Sequence, residues 1–186
     1  GMPAYQLTMP EHYNIFKSIS PIVTLGEHSF SVGILFLMML GFYVFMVSMG
    51  AKPLLSMIAA LAYALGSYNI IIIAVGHITK AWAMAMIAPI LGGMILVFRR
   101  KWLAGAVMFT LSLGLQIGFN HIQITYYTML AAFILGLCYL IYAIKEKTIK
   151  DFALGGGMLV LCAAIAFLPN SSHFKLNSEY VKYTMR

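Results

Sequence analysis

Long apolar runs alternate with short polar breaks along most of the chain. Runs at 29–49, 54–75, 81–98, 103–119, 124–144 and 152–169 carry almost no charge. A helix rises about 1.5 Å per residue, so roughly 20 apolar residues cross a hydrocarbon core. The pattern therefore predicts an all-α, polytopic transmembrane bundle of about six spans. Breaks of a few residues make neighbouring helices antiparallel. Pro89 with Gly92 and Gly93 is expected to kink the third span. Gly155, Gly156 and Gly157 open the sixth, where close helix contact is expected. No internal repeat is visible.

The first 28 residues are mixed in character. Thr8-Met9-Pro10-Glu11 has the form of a capping box, and Ile15, Phe16, Ile19 and Ile22 follow at helical spacing. This predicts a short interfacial helix in an outer segment 1–28, ended or bent at Pro21. The polar tail 170–186 is read as an outer tail leading to a further region. The opening Gly1-Met2 and closing Met185-Arg186 read as a piece of something longer.

Composition agrees with lipid as the solvent: of 186 residues, 62% are hydrophobic and 9% charged. A net charge of +7 could suggest nucleic acid, but the basic residues sit in short loops between spans. We read them as topogenic charge facing membrane lipid, with no nucleic-acid partner. Lys52, then Arg99, Arg100 and Lys101, then Lys145, Lys147 and Lys150 mark one side, against Lys80 alone in the short loops of the other. The basic set belongs in the cytoplasm, so loops 76–80 and 120–123 and both termini face outward. Cys138 and Cys162 lie inside apolar runs without CxxC spacing and read as packing residues.

Polar side chains gather toward the outward ends, including Tyr68, Asn69, His77, Thr79, Lys80, Gln116, Asn120, His121, Gln123, Tyr126 and Tyr127. Unpartnered polar groups facing lipid are costly, so a hydrated hollow opening outward is expected. Gln116, Asn120 and Gln123 recur at helical spacing and share a face if the helix extends that far.

Gly76-His77-Ile78-Thr79-Lys80 sets an imidazole and a fixed cation at headgroup depth, which suits a phosphate. A plain turn with a snorkelling lysine is the alternative. Trp82 beside it is read as an interfacial anchor. Asn120-His121-Ile122-Gln123, with Tyr126 and Tyr127, offers neutral hydrogen-bonding groups beside aromatic faces, a surface suited to sugars; helix-end residues meeting water are the alternative. His77 and His121 without a nearby carboxylate do not argue for a metal. There are five carboxylates, of which Glu11, Glu27 and Glu179 face outward on this topology. No P-loop, nucleophile elbow, dinucleotide fingerprint or zinc spacing occurs.

Four stretches carry a resemblance: Gly1-Met2-Pro3-Ala4-Tyr5-Gln6, the 76–80 loop, Asn120 through Tyr127, and Glu179-Tyr180-Val181-Lys182-Tyr183-Thr184-Met185-Arg186. In this order they resemble the YfhO family of bacterial polytopic membrane proteins, over essentially the whole chain. The resemblance implies a GT-C-like glycosyltransferase of the bacterial cytoplasmic membrane. Such an enzyme takes a sugar from a polyprenyl-phosphate donor on the outer face and passes it to a cell-envelope polysaccharide or lipid. No separate cofactor is implied.

In such enzymes an acidic residue stands in the first large outer loop. Gly1 would lie late in that loop, so the acid is expected upstream, with Glu27 a weak candidate here. The chain alone is expected to be inactive. Within the matching stretches we assign His77 and Lys80 to donor phosphate, and Asn120, His121, Gln123 and Tyr126 to sugar or acceptor, on their outward location and hydrogen-bonding groups. A transporter or flippase for lipid-linked or small polar cargo is the second reading, and a non-catalytic membrane scaffold the third.

Overall fold

The computed structural model describes residues 15–23 and 30–171, and every regular element among them is helical. The helices are α1 (Ile15–Val23), α2 (Phe30–Met49), α3 (Pro53–Ala64), α4 (Ser67–Ala74) and α5 (Ile78–Ala85). They continue as α6 (Ile87–Phe98), α7 (Trp102–Gly118), α8 (Ile122–Lys145) and α9 (Ile149–Phe167), with a 3₁₀ turn at Leu168–Asn170. The capping box at Thr8–Glu11, the candidate Glu27, and Glu179 lie outside the described residues.

Four stretches are long and apolar enough to cross a membrane: Ser31–Met49, Ile78–Phe98, Ile122–Lys145 and Ile149–Asn170. A fifth exists if α3 and α4, bent by 43° at their junction, cross as one unit. The expectation of six spans is thereby corrected to four or five. α7 has 17 residues, about 25 Å of helix, and falls short of the roughly 30 Å hydrocarbon core. It still runs between the same two ends of the bundle as its neighbours, because the loops on either side of it meet opposite sets of loops.

Two contacts define one of those ends. Arg99 Nη2 donates to the carbonyl of Met49 at 2.8 Å, placing a cation on the last carbonyls of α2, where the helix dipole favours it. Arg100 forms an ion pair with Asp151 in the first turn of α9. The loops after α2, α6 and α8, which hold the basic residues, therefore form one end. The loops holding His77 and His121 form the other.

The third span is interrupted three residues before its proline. The break is at Met86, and Pro89 falls in the first turn of α6, where its missing N–H has no intrahelical partner to lose. Pro89 cannot bond back to Ala85, and α2 approaches this spot closely. A Cβ on Gly41 would lie 3.2 Å from the Ala85 carbonyl oxygen and 2.8 Å from Pro89 Cδ. Gly93 and Gly105 bring the backbones of α6 and α7 into direct contact, a Cβ at 93 falling 2.7 Å from the amide nitrogen of Phe109.

Of the three glycines opening the sixth run, Gly155 alone meets a neighbour, at Phe98 and Val97, while Gly156 and Gly157 have nothing within 4 Å. α1 continues two residues past Pro21 and lays Phe16 over Gly114 of α7, with Ile15 and Ile22 exposed.

The junction between α3 and α4 is closed by Asn69, buried, whose Nδ2 donates to the Tyr63 carbonyl at 2.7 Å. It satisfies one of the acceptors left open where α3 stops. Asn170, also buried, does the same between α9 and α7, donating to the carbonyls of Ala166 at 2.9 Å and Gly114 at 3.1 Å.

Candidate functional site

At the end opposite the arginines, α4 is stopped by Gly76 at φ +84°. The amide of Gly76 donates to the Ile73 carbonyl at 3.0 Å, and that of His77 to Ile72 at 3.1 Å. A Cβ at 76 would touch nothing, so backbone conformation and not space calls for glycine. The reversal makes His77 the residue before α5, its side chain exposed, and puts Lys80 in the first helical turn.

Lys80 sits at the end of α5 where the helix dipole disfavours a cation. It is held by Tyr68, whose hydroxyl accepts from Nζ at 2.9 Å. The ammonium lies 5.5 Å from the ring centroid. That is close to half a phenol plus one hydrogen bond laid end to end, so the cation sits off the hydroxyl edge and not over the ring face.

The facing loop follows α7. Asn120 takes a left-handed φ of +54°, which asparagine tolerates better than most residues, and its amide donates to the Ile117 carbonyl at 2.9 Å. Asn120 therefore has a helix-ending task. The shared face of Gln116, Asn120 and Gln123 does not form, because the chain turns at Asn120 and starts a new helix after His121.

Gln116 is fully buried, donating from Nε2 to the Ala83 carbonyl at 2.9 Å and to Thr128 Oγ1 at 3.0 Å. Gln123 is exposed and donates to Tyr127 Oη at 3.0 Å. Tyr126 is exposed too, its ring 5.8 Å from that of Tyr127.

His121 is half-buried, but its Nε2 is shut off from the surface and has no hydrogen-bond partner among the described residues. Burial, then the charge of Lys80, then His77 push its pKa below the ordinary histidine value. The shift favours the neutral form, and Lys80 and His77 are the two residues expected at the phosphate. Stability held by the neutral form is full above the usual histidine value and is lost as pH falls through the depressed one.

Two contacts bring these loops together. Trp82 stacks on Phe119 at 5.6 Å and 20°, and Gln116 ties α7 to the Ala83 carbonyl of α5. Trp82 is buried, which corrects its expected role as an interfacial anchor: it joins α5 to the end of α7.

The structure thus gathers His77, Lys80 and His121, and leaves Gln123 and Tyr126 on the exposed face of α8. Tyr68 was not assigned a role from sequence; its twelve-residue separation from Lys80 across a turn is the signal that could have found it. A cavity of about 660 Å³ lies at the basic end, among residues including Arg99, Arg100, Thr148 and Asp151. No protein-family model, curated protein or solved structure matches the chain. What stands on the geometry is a multi-span helical membrane protein with two chemically distinct ends.

Proposed function

We propose that this chain is part of a bacterial membrane glycosyltransferase of YfhO type, whose outward end receives the phosphate of a polyprenyl-phosphate sugar. The observation that carries the reading is the meeting of Lys80, His77 and His121 at the start of α5. An anion there accepts from Lys80, faces the positive end of a helix, and stands beside the loop of His121.

Lys80 offsets negative charge gathering on the departing polyprenyl phosphate, the task that preorganised cations perform in group transfer. Asn120, Gln123 and Tyr126 follow in the adjoining loop and the first turns of α8, where a sugar or an acceptor from the cell envelope would approach. With the arginine-rich loops in the cytoplasm, this end faces the donor's leaflet.

The proposal predicts a proton linkage. A lipid-linked sugar phosphate is a diester whose single charge does not titrate near neutrality. Its binding should raise the proton affinity of His121 about tenfold or more, since an opposite charge arrives within a few ångströms. NMR titration of ring-labelled histidine, with and without a short-chain polyprenyl-phosphate sugar, reads this directly. Binding should also tighten as pH falls through the histidine range, and His121→Gln should remove that dependence. A His121 titration unmoved by saturating donor would dismiss the phosphate site.

One observation favours the second reading. The 43° break between α3 and α4, sealed by Asn69, is the kind of discontinuous helix that transporters use. Translocation of intact donor across vesicles without cleavage of the sugar would support transport over transfer.

A further inference from the structure

At the other end of the bundle, α6, α8 and α9 enclose the cavity of about 660 Å³. Its floor is an aromatic stack, with Phe98 lying 4.7 Å from Tyr139 and 5.2 Å from Phe152. Arg99, Arg100 and Thr148 stand at its mouth. The Arg99 guanidinium is turned toward α2, where it donates to Met49; that of Arg100 has five N–H donors, one of which goes to Asp151, leaving others for a ligand. Lys101, Lys145, Lys147 and Lys150 lie in or beside the same loops, against the carboxylates Glu146 and Asp151, so the local charge is positive.

One side of the cavity opens onto the outer face of α8. Cys138 and Tyr142 line it and are exposed. Ile134, Leu137 and Ile141, at helical spacing, continue an exposed apolar strip away from the basic end.

We propose that this cavity binds the headgroup of an anionic phospholipid, the phosphate against Arg100 and the acyl chains along the strip on α8. The phosphate could in principle belong to a soluble metabolite. The continuous apolar strip leading out of a cationic mouth favours a lipid, because a free phosphate has no use for it. Planar guanidinium groups match phosphate oxygens, and a cation near an anionic leaflet is worth about 1 kcal/mol, or roughly fivefold in affinity. The proposal is independent of the chemistry at the Lys80 end.

Native mass spectrometry of the detergent-solubilised protein, titrated with dioleoylphosphatidylglycerol or dioleoylphosphatidylcholine, tests it. The wild type should retain the glycerol lipid at least about fivefold more than the choline lipid. Arg100→Gln should lower that preference about fivefold, since it removes a cation and releases Asp151 into the mouth. Lys101→Gln removes the same charge one residue away, outside the cavity, and should leave the preference intact. Equal retention of both lipids, or equal loss in the two variants, would show diffuse surface charge only and overturn the proposal. Glycerol 3-phosphate displacing the lipid at comparable concentration would also overturn it, in favour of a soluble ligand.

A second measurement needs no variant. Cys138 lines the cavity while Cys162 is buried, so phosphatidylglycerol should slow N-ethylmaleimide modification of Cys138 and phosphatidylcholine should not. An unchanged rate counts against the site.

Discussion

Replacing Lys80 with alanine should lower sugar transfer from a polyprenyl-phosphate donor about 10²–10³-fold, the usual cost of removing one preorganised charge-stabilising group. The effect should fall on kcat more than on KM, because charge on the leaving phosphate grows toward the transition state. Lys80→Arg keeps the charge but spreads it over a longer, planar group, and should recover part of the rate. Tyr68→Phe tests the same point from the other side. It removes the 2.9 Å bond that holds the ammonium while leaving its charge, so a smaller loss is expected. Turnover of Lys80→Ala equal to wild type at limiting donor would remove the phosphate role altogether.

The second large effect is on assembly. Gly105→Val should destabilise the bundle by about 3 kcal/mol or more, read as the midpoint of unfolding in sodium dodecyl sulfate against a mild detergent. A Cβ at 105 would stand 2.6 Å from the Val97 amide nitrogen and 2.8 Å from the Gly93 carbonyl oxygen. Those are backbone atoms on a facing helix, so no side chain can swing aside. The helices must part, and dispersion contacts along the whole α6–α7 seam weaken with them. Gly157→Ala is the control. Nothing lies within 4 Å of its Cβ, so it should be neutral or slightly stabilising through helix propensity. Equal midpoints for Gly105→Val and wild type would deny the close crossing.

The positions of the helices could be read from the sequence, since lipid demands long apolar runs and the runs are long. Which face of each helix turns inward could not. In a soluble protein an apolar stripe marks the core, but here lipid is as apolar as the interior, and both faces look alike. That is why Trp82 was read as an anchor at the surface, and why three consecutive glycines gave no hint that Gly155 alone is in contact.

The site divides in the same way. His77, Lys80 and His121 were placed at one end by counting spans and loop charges, which needs no knowledge of faces. Gln116 and Gln123 required it. The helix they seemed to share is interrupted at Asn120, so one is buried against Ala83 and Thr128 and the other is exposed beside Tyr127. The cavity of the basic end was equally hidden, because it forms only where the end of α6 meets the consecutive helices α8 and α9, distant from it in sequence.

The account rests on the two ends lying on opposite sides of the membrane, with Lys80 and His121 outward. Single cysteines in a Cys138→Ala, Cys162→Ala background test this most directly, using Gln123→Cys for one end and Lys147→Cys for the other. In intact cells a membrane-impermeant maleimide should label the cysteine at position 123 and leave that at 147 untouched until the membrane is opened. Labelling at 147 but not at 123 in intact cells would put the Lys80 end in the cytoplasm, away from the donor, and contradict the proposed chemistry.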